Sequence, residues 1–296
     1  MGGHEKRRIC GDDQVGRLPG GRRDRVTKQP NTVPAIDRRS PSADSGGHFH
    51  AVSLSGGKDS SYLLLRMIEL GMPIDAVISA DTGMEFPEMY DHLTKLDDHL
   101  YRERGIHITT LRHPKGFEYL MFDEPKQKPS ALERRARLGV PPYGNGWPGI
   151  RVRWCTGQLK THLISKEVNR LKSEKNALHY VGIAADEAWR CKNERYPLVE
   201  WGVTEAEALQ GCYDRGFDFG GLYEIYHRCS CWCCPFQRID ELRKLRVNHP
   251  ELWARLRRLD NRARAQFGAG PLGQFKKDWS VERLEERFAR EEAKPA

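Results

Sequence analysis

Residues 51–60 read Ala51-Val52-Ser53-Leu54-Ser55-Gly56-Gly57-Lys58-Asp59-Ser60, and Tyr62-Leu63-Leu64-Leu65-Arg66-Met67-Ile68 follow at once. The order is apolar strand, glycine turn, helix start. Two glycines let the backbone turn tightly and come close to a phosphate. Free N–H groups and the dipole at a helix start favour negative charge. Ser55 and Ser60 add hydroxyl donors, and Lys58 adds a point charge. The spacing is not Gly-x4-Gly-Lys-Ser/Thr, so it is a different anion cradle from the Walker loop. A glycine turn between strand and helix with no ligand is the alternative, and the placement of the turn decides between them.

That placement comes from the segments downstream. Residues 73–80, Pro-Ile-Asp-Ala-Val-Ile-Ser-Ala, form a buried strand running into Asp81-Thr82-Gly83. Residues 87–104 carry Met89, Leu93, Leu96 and Leu100 at helical spacing. Residues 106–111 are a third strand. The pattern β-α-β-α-β predicts a parallel sheet with right-handed crossovers. Ligands of such sheets sit at the carboxyl ends of the strands, where both turns fall. A long connection over 113–150 is rich in Gly and Pro and reads as a lid or plain surface. A helix follows Arg153-Trp154-Cys155-Thr156 through about Leu171. A strand over 177–183 then delivers Asp186, Glu187 and Arg190 to the same edge.

Four motifs now stand in order: Ser55–Ser60; Asp81-Thr82-Gly83 with Phe86-Pro87-Glu88; Arg153-x-Cys155-Thr156 with Leu159-Lys160; and Gly182-Ile183-x-x-Asp186-Glu187-x-x-Arg190. Tyr196-Pro197-Leu198 and a cysteine cluster come after them. In this order they resemble the phosphoadenosine phosphosulfate (PAPS) reductase-like family of PP-loop ATP pyrophosphatases, the adenine nucleotide alpha hydrolase-like group, across roughly residues 50–255. The resemblance implies a doubly wound α/β fold with a mainly parallel sheet. It implies ATP bound with Mg²⁺, an acceptor oxygen attacking the α-phosphate, and pyrophosphate leaving. It assigns nucleotide binding to Ser55, Gly56, Gly57, Lys58, Asp59, Ser60, Asp81, Thr82, Gly83, Gly182 and Arg190. Lys58, Asp59 and Asp186 are the expected catalytic groups. The residues themselves leave alternatives open: Asp59 and Asp81 suit a metal or a helix cap, and Asp186, Glu187 and Arg190 suit a phosphate clamp or a local ion pair.

Two features depart from the reductases of this family. Their catalytic tail, Glu-Cys-Gly-Leu-His, has no counterpart after Cys234, and the paired Cys-Cys of the iron–sulfur members is Cys155-Thr156 here. The expected reaction is therefore activation of an acceptor by adenylation, for sulfur transfer. Sulfonucleotide reduction is the alternative within enzymes, and a non-catalytic nucleotide-binding regulator the alternative outside them.

The chain has eight cysteines, and Cys229, Cys231, Cys233 and Cys234 lie within six positions. Such clustering reads as metal or redox chemistry before disulfides. The expected ligands are Cys229, Cys231 and Cys234 from the Cys-rich loop and Cys155 from a distance, with Cys191, Cys212 and Cys233 as other candidates for the fourth. A [4Fe–4S] cluster is the expected occupant, with Zn²⁺ the alternative.

Of 296 residues, 38% are hydrophobic and 30% charged, and the formal charge is +8. This balance suits polyanionic ligands, nucleotides or nucleic acid. No apolar run reaches the ~20 residues of a membrane span, and no apolar leader is visible, so a cytoplasmic location is expected. Residues 1–47 lack apolar periodicity and read as a flexible basic arm. Residues 48–235 are the expected nucleotide-binding domain, and 236–296 a basic helical region with Arg255, Arg257, Arg258, Arg262 and Arg264 on one face. The partners this reading admits are an adenine nucleotide, a nucleic-acid acceptor and a sulfur-donor protein. Oligomeric state is open.

Overall fold

The computed structural model describes residues 47–293 apart from Arg151 and Ser230. The expected basic arm and Cys10 lie outside the described residues. The described residues make one compact unit.

Four parallel strands form the sheet: β1 Phe49–Leu54, β2 Ala76–Asp81, β3 Ile108–Arg112 and β4 Ala177–Val181, in the order β3-β2-β1-β4. The chain steps outward from β1 to β3, then returns to the far side of β1. The strand order therefore reverses between β1 and β4, which is where such sheets open a crevice.

Side-chain alternation builds two layers. Val52 faces Val77 across the ladder, and both join the main core with α1 (Lys58–Glu69) and α2 (Pro87–Arg104). Ala51 and Ile78 point the other way. They pack under Val168 and Leu171 of the long helix that precedes β4. A sheet buried on both faces reads as continuous apolar strands, as these do.

The connection from β3 to β4 carries α3 (Gly116–Phe122), α4 (Pro129–Leu138), the short α5 (Trp154–Thr156), one π-helical turn (Gly157–Thr161) and α6 (His162–Lys175). Beyond β4 come a 3₁₀ turn (Ala185–Arg190), α7 (Pro197–Glu200), α8 (Glu205–Tyr213) and α9 (Leu222–Ile225). Three helices finish the chain: α10 (Ile239–Asn248), α11 (Pro250–Phe267) and α12 (Val281–Glu292). Their Leu242, Leu245, Trp253, Leu256 and Phe288 are buried in the same core as Leu63 and Met67.

One buried carboxylate staples the C-terminal helices together. Asp260 is fully buried and accepts bonds from Trp147 Nε1 (3.0 Å), Phe275 N (3.1 Å) and Val281 N (2.8 Å). Three donors offset part of the desolvation of its charge, and burial still holds its carboxyl above the usual carboxylate range.

The basic face of α11 is largely engaged within the molecule. Arg255 pairs with Glu118 and lies over Trp232; Arg257 pairs with Glu282; Arg262 pairs with Asp123 and lies over Phe122. No helix among the described residues is long and apolar enough to cross a membrane.

Candidate nucleotide site and cysteine turn

The loop between β1 and α1 is closed by its own hydroxyls. Ser60 Oγ accepts from Ser55 N (3.1 Å), lies 2.9 Å from Ser55 Oγ and donates to Gly57 O (3.1 Å). Ser61 Oγ donates to Gly56 O (3.2 Å) and meets buried His92 Nε2 at 3.0 Å. Burial pushes the His92 imidazole down to about 4, so it is neutral near pH 7. Gly56 has φ +79°, and a Cβ there would meet Met89 Sδ at 2.8 Å. The positive φ is what requires glycine, since a Cβ would displace only the flexible Met89 and Leu93 side chains. Gly57 caps α1 without a side-chain acceptor; Tyr223 Oη takes the Lys58 N–H, and the first-turn N–H groups after it remain available to an anion.

Gly182 is a glycine for a different reason. A Cβ there would meet Ser60 Cα at 2.7 Å and Ser60 N at 2.8 Å. The end of β4 lies directly against the start of α1, which brings the next turn over the loop. That turn places Glu187 beside Asp59, and α8 adds Glu205. One oxygen from each of the three lies within 4.8 Å of the others, the only such group of potential metal ligands among the described residues. Lys58 Nζ reaches Glu205 Oε1 at 2.7 Å and Asp59 Oδ1 at 3.6 Å.

Asp59 Oδ1 is buried and has no hydrogen-bond partner. Burial raises the Asp59 carboxyl to about 6; Lys58 opposes this, and the charges of Glu205 and Glu187 add to it. The Lys58 bond holds Glu205 below the usual carboxylate range.

On the other side of the loop lies a cavity of about 250 Å³, lined by Ser55, Ser79, Asp81, Tyr90, Thr110 and Arg112 among others. Asp81 accepts from Gly83 N (2.7 Å), Tyr90 Oη (2.8 Å) and Arg112 Nε (2.6 Å). It holds the turn and the rim together. Gly83 has φ +74° and open space around it, so it serves the turn.

The other expected site residues are placed differently. Thr82 donates to Glu85 Oε1 (2.9 Å) and lies 3.6 Å from Cys231 Sγ, toward the cysteine turn. Asp186 accepts from Glu205 N (3.1 Å) at the start of α8, as a cap. Arg190 pairs with Glu187. Each thus has a local partner at this edge of the sheet.

The cysteine turn is pinned through its backbone. Trp232, 1% exposed, donates its N–H to Met84 O (3.1 Å). Cys234 N reaches Cys231 O (3.1 Å), and Lys276 Nζ bonds Pro235 O and Gln237 O, each at 2.8 Å. Glu85 joins the turn to Lys160 at 3.0 Å. Burial would depress Lys160, but Cys231, Glu85 and Cys155 outweigh it and raise this ammonium.

The thiols divide into two neighbourhoods. Burial raises Cys233, and the nearby Cys231, Cys234 and Cys155 raise it further; Cys234 likewise feels Cys155. Cys229 sits instead with Tyr223 and Lys58, and burial pushes its thiol up to about 12. Tyr223 Oη accepts from Lys58 N (3.0 Å), so Cys229 backs the nucleotide loop. Cys212 lies beneath the same loop, its Sγ 3.5 Å from Lys58 O. Cys191 follows the 3₁₀ turn. Among the described residues, no three cysteine sulfurs come within 4.8 Å of one another.

Glu205, Tyr223 and the Glu85–Lys160 pair escaped the sequence reading. Thr204-Glu205-Ala206-Glu207 carries a helix-start signal, and Thr204 with Glu207 does form a capping box. That signal explains the segment without disclosing that Glu205 faces Lys58. Nothing in the pattern around Tyr223 marks it.

The profile of the phosphoadenosine phosphosulfate reductase domain matches residues 50–133, which hold the loop, the Asp81 turn and the cavity wall. An uncharacterized protein of Methanocaldococcus jannaschii is 27% identical over 225 residues, 68% of this chain and 39% of its own length. The chain thus spans about two fifths of the curated relative it matches.

Proposed function

From a chain whose residues 50–133 match the phosphoadenosine phosphosulfate reductase domain, a member of the PP-loop superfamily, we propose an ATP-dependent adenylating enzyme. It activates an acceptor with release of pyrophosphate, for sulfur transfer. The observation that carries this is the convergence on one sheet edge of a closed anion loop, a 250 Å³ cavity and three carboxylates around Asp59.

Adenosine fits the cavity between β2, β3 and α2, and the triphosphate then crosses the loop toward β4. The first-turn N–H groups of α1 and the Lys58 ammonium stabilise charge on the departing pyrophosphate. Lys58 is held in line by Glu205 and its backbone by Tyr223.

Asp59, Glu187 and Glu205 fit Mg²⁺: a buried oxygen without a partner and three clustered carboxylates are the donor set of a hard cation. When bound, it shares the negative charge of the phosphates.

Cys155, Cys231 and Cys234, with Cys233 beside them, are the ligand set of the second centre in this reading. Zn–S bonds of ~2.3 Å in a tetrahedron hold thiolates ~3.8 Å apart. A cubane bonds each thiolate to a different iron and spaces them more widely. A [4Fe–4S] cluster is the occupant this reading takes, with Zn²⁺ as the alternative. Such a centre supplies sulfur or electron chemistry when bound.

The test is pyrophosphate release from ATP by anaerobically purified protein, across thiol, tRNA and DNA acceptors, with iron and sulfide measured on the same sample. Acceptor-dependent release is expected. ATP binding with no release under any condition would favour a regulator. Sulfite release from PAPS with a dithiol reductant would favour the reductase, the second reading that the domain match supports.

A further inference from the structure

Trp189 is 83% exposed, although it belongs to the turn that carries Glu187 to the nucleotide loop. An indole left in water forgoes the burial that makes tryptophan stabilising. The turn beneath it is firmly held. Ala185 N bonds Val203 O (2.7 Å), Cys191 N bonds Ala188 O (3.0 Å) and Lys192 N bonds Tyr196 Oη (2.8 Å). The ring therefore stands on a fixed base.

Its position is specific. The cavity lies on the β2–β3 side of the loop, and Trp189 follows β4 on the other side. With strands ~4.8 Å apart, β2 and β4 are about 10 Å from each other across β1. An acceptor approaching the phosphates from the β4 side passes this ring.

Carboxylates and cations alternate along this stretch, from Asp186 and Glu187 through Lys192 to Glu194 and Arg195, and the carboxylates are the ones with partners. Lys192, Arg195 and Arg228 are exposed, and no ion pair engages them among the described residues. Arg228 is near enough to act on the charge of Glu205. Arg190 pairs with Glu187. A flat exposed aromatic face with unpaired cations three and six positions along the chain matches a chain of phosphates whose bases are free to stack. A duplex keeps its bases stacked on each other and offers the indole no face.

We infer that Trp189 is a stacking platform for one base of a single-stranded nucleic acid, and that Lys192, Arg195 and Arg228 hold its backbone beside the phosphate end of the site. This rests on the adenylation reading, to which it adds the acceptor class and its point of entry.

Anisotropy of fluorescein-labelled 12-nucleotide DNA and RNA single strands with the full chain tests it, with ATP binding measured in parallel. Trp189→Ala weakens strand binding about tenfold, and Trp189→Phe stays within about threefold of wild type. The salt slope is unchanged in Trp189→Ala and falls by about one in Arg228→Ala. ATP affinity is unaltered in both tryptophan variants. Equal strand affinity of Trp189→Ala and wild type overturns the inference. So does a wild-type protein that binds ATP but neither strand, or a polyglutamate peptide that competes as well as an unlabelled strand. A wild-type protein that binds no ATP removes the underlying reading, and the inference with it.

Discussion

The Ser55–Ser60 loop and the Cys231–Gln237 turn are both rigid, but they use their polar atoms in opposite ways. The loop spends its serine hydroxyls on its own backbone, leaves the N–H groups after Lys58 for a ligand, and has the Lys58 ammonium positioned by Glu205. The turn is held by partners outside it, Met84 O and Lys276, and burial pushes its thiols toward the protonated form. A preformed anion site tolerates an empty state because water can solvate its donors. Thiol groups are soft and weakly polar, so burying them unligated costs little, and ligation with proton loss can follow later.

If the loop is preformed by close packing, Gly182→Val is the largest lesion. Its side chain would have to displace Ser60 backbone rather than a flexible side chain. A loss of about 2–4 kcal/mol in urea unfolding is expected, with ATP binding lost. Gly83→Ala, strained in conformation but free of contacts, should cost about 1 kcal/mol. Equal effects at the two glycines would break this half of the comparison.

The second prediction divides the thiols. Cys155→Ser, Cys231→Ser and Cys234→Ser should each lose most bound metal in anaerobic elemental analysis. Cys229→Ser should keep wild-type metal and show weaker ATP binding, because its side chain packs with Tyr223 behind Lys58. Metal loss in Cys229→Ser would merge the two regions into one centre.

A third prediction concerns protons at the loop. Asp59 is raised to about 6, so the folded protein holds a proton that the unfolded chain releases near pH 4. Stability from this group is therefore greatest in acid and declines as pH rises from about 4 to about 6. Binding of Mn²⁺ as a probe needs the carboxylate. Its affinity should climb up to about tenfold per pH unit below 6 and level off above. Asp59→Asn should bind Mn²⁺ weakly without this dependence and melt at a higher temperature at pH 7.5. A pH-independent wild-type affinity would detach the carboxylates from the cation.

The smallest expected effect is at α11. Arg262→Ala removes an exposed pair with Asp123 and a contact with Phe122, and should cost about 1 kcal/mol or less by urea unfolding.

What could be read in the sequence was local. The strand–glycine–helix order around Ser55–Ser60 and the apolar spacing of α2 were legible because each is set by neighbouring residues. The Glu205–Lys58 and Tyr223–Lys58 contacts span 147 and 165 positions, and no periodicity encodes them. The arginines of α11 were legible as a basic face. The partners of Arg255, Arg257 and Arg262, which are Glu118, Glu282 and Asp123, come from other segments, so no local pattern disclosed that part of this face is engaged within the molecule. Cysteine spacing indicated a cluster but not the direction each thiol takes from the turn, which is why Cys229 belongs with the loop.

Calorimetric titration of ATP in Mg²⁺ into wild type and Lys58→Ala tests the central claim most directly. A wild-type saturable site and at least a tenfold loss in the variant are expected. Equal affinities in the two proteins would contradict a nucleotide site built on Ser55–Ser60.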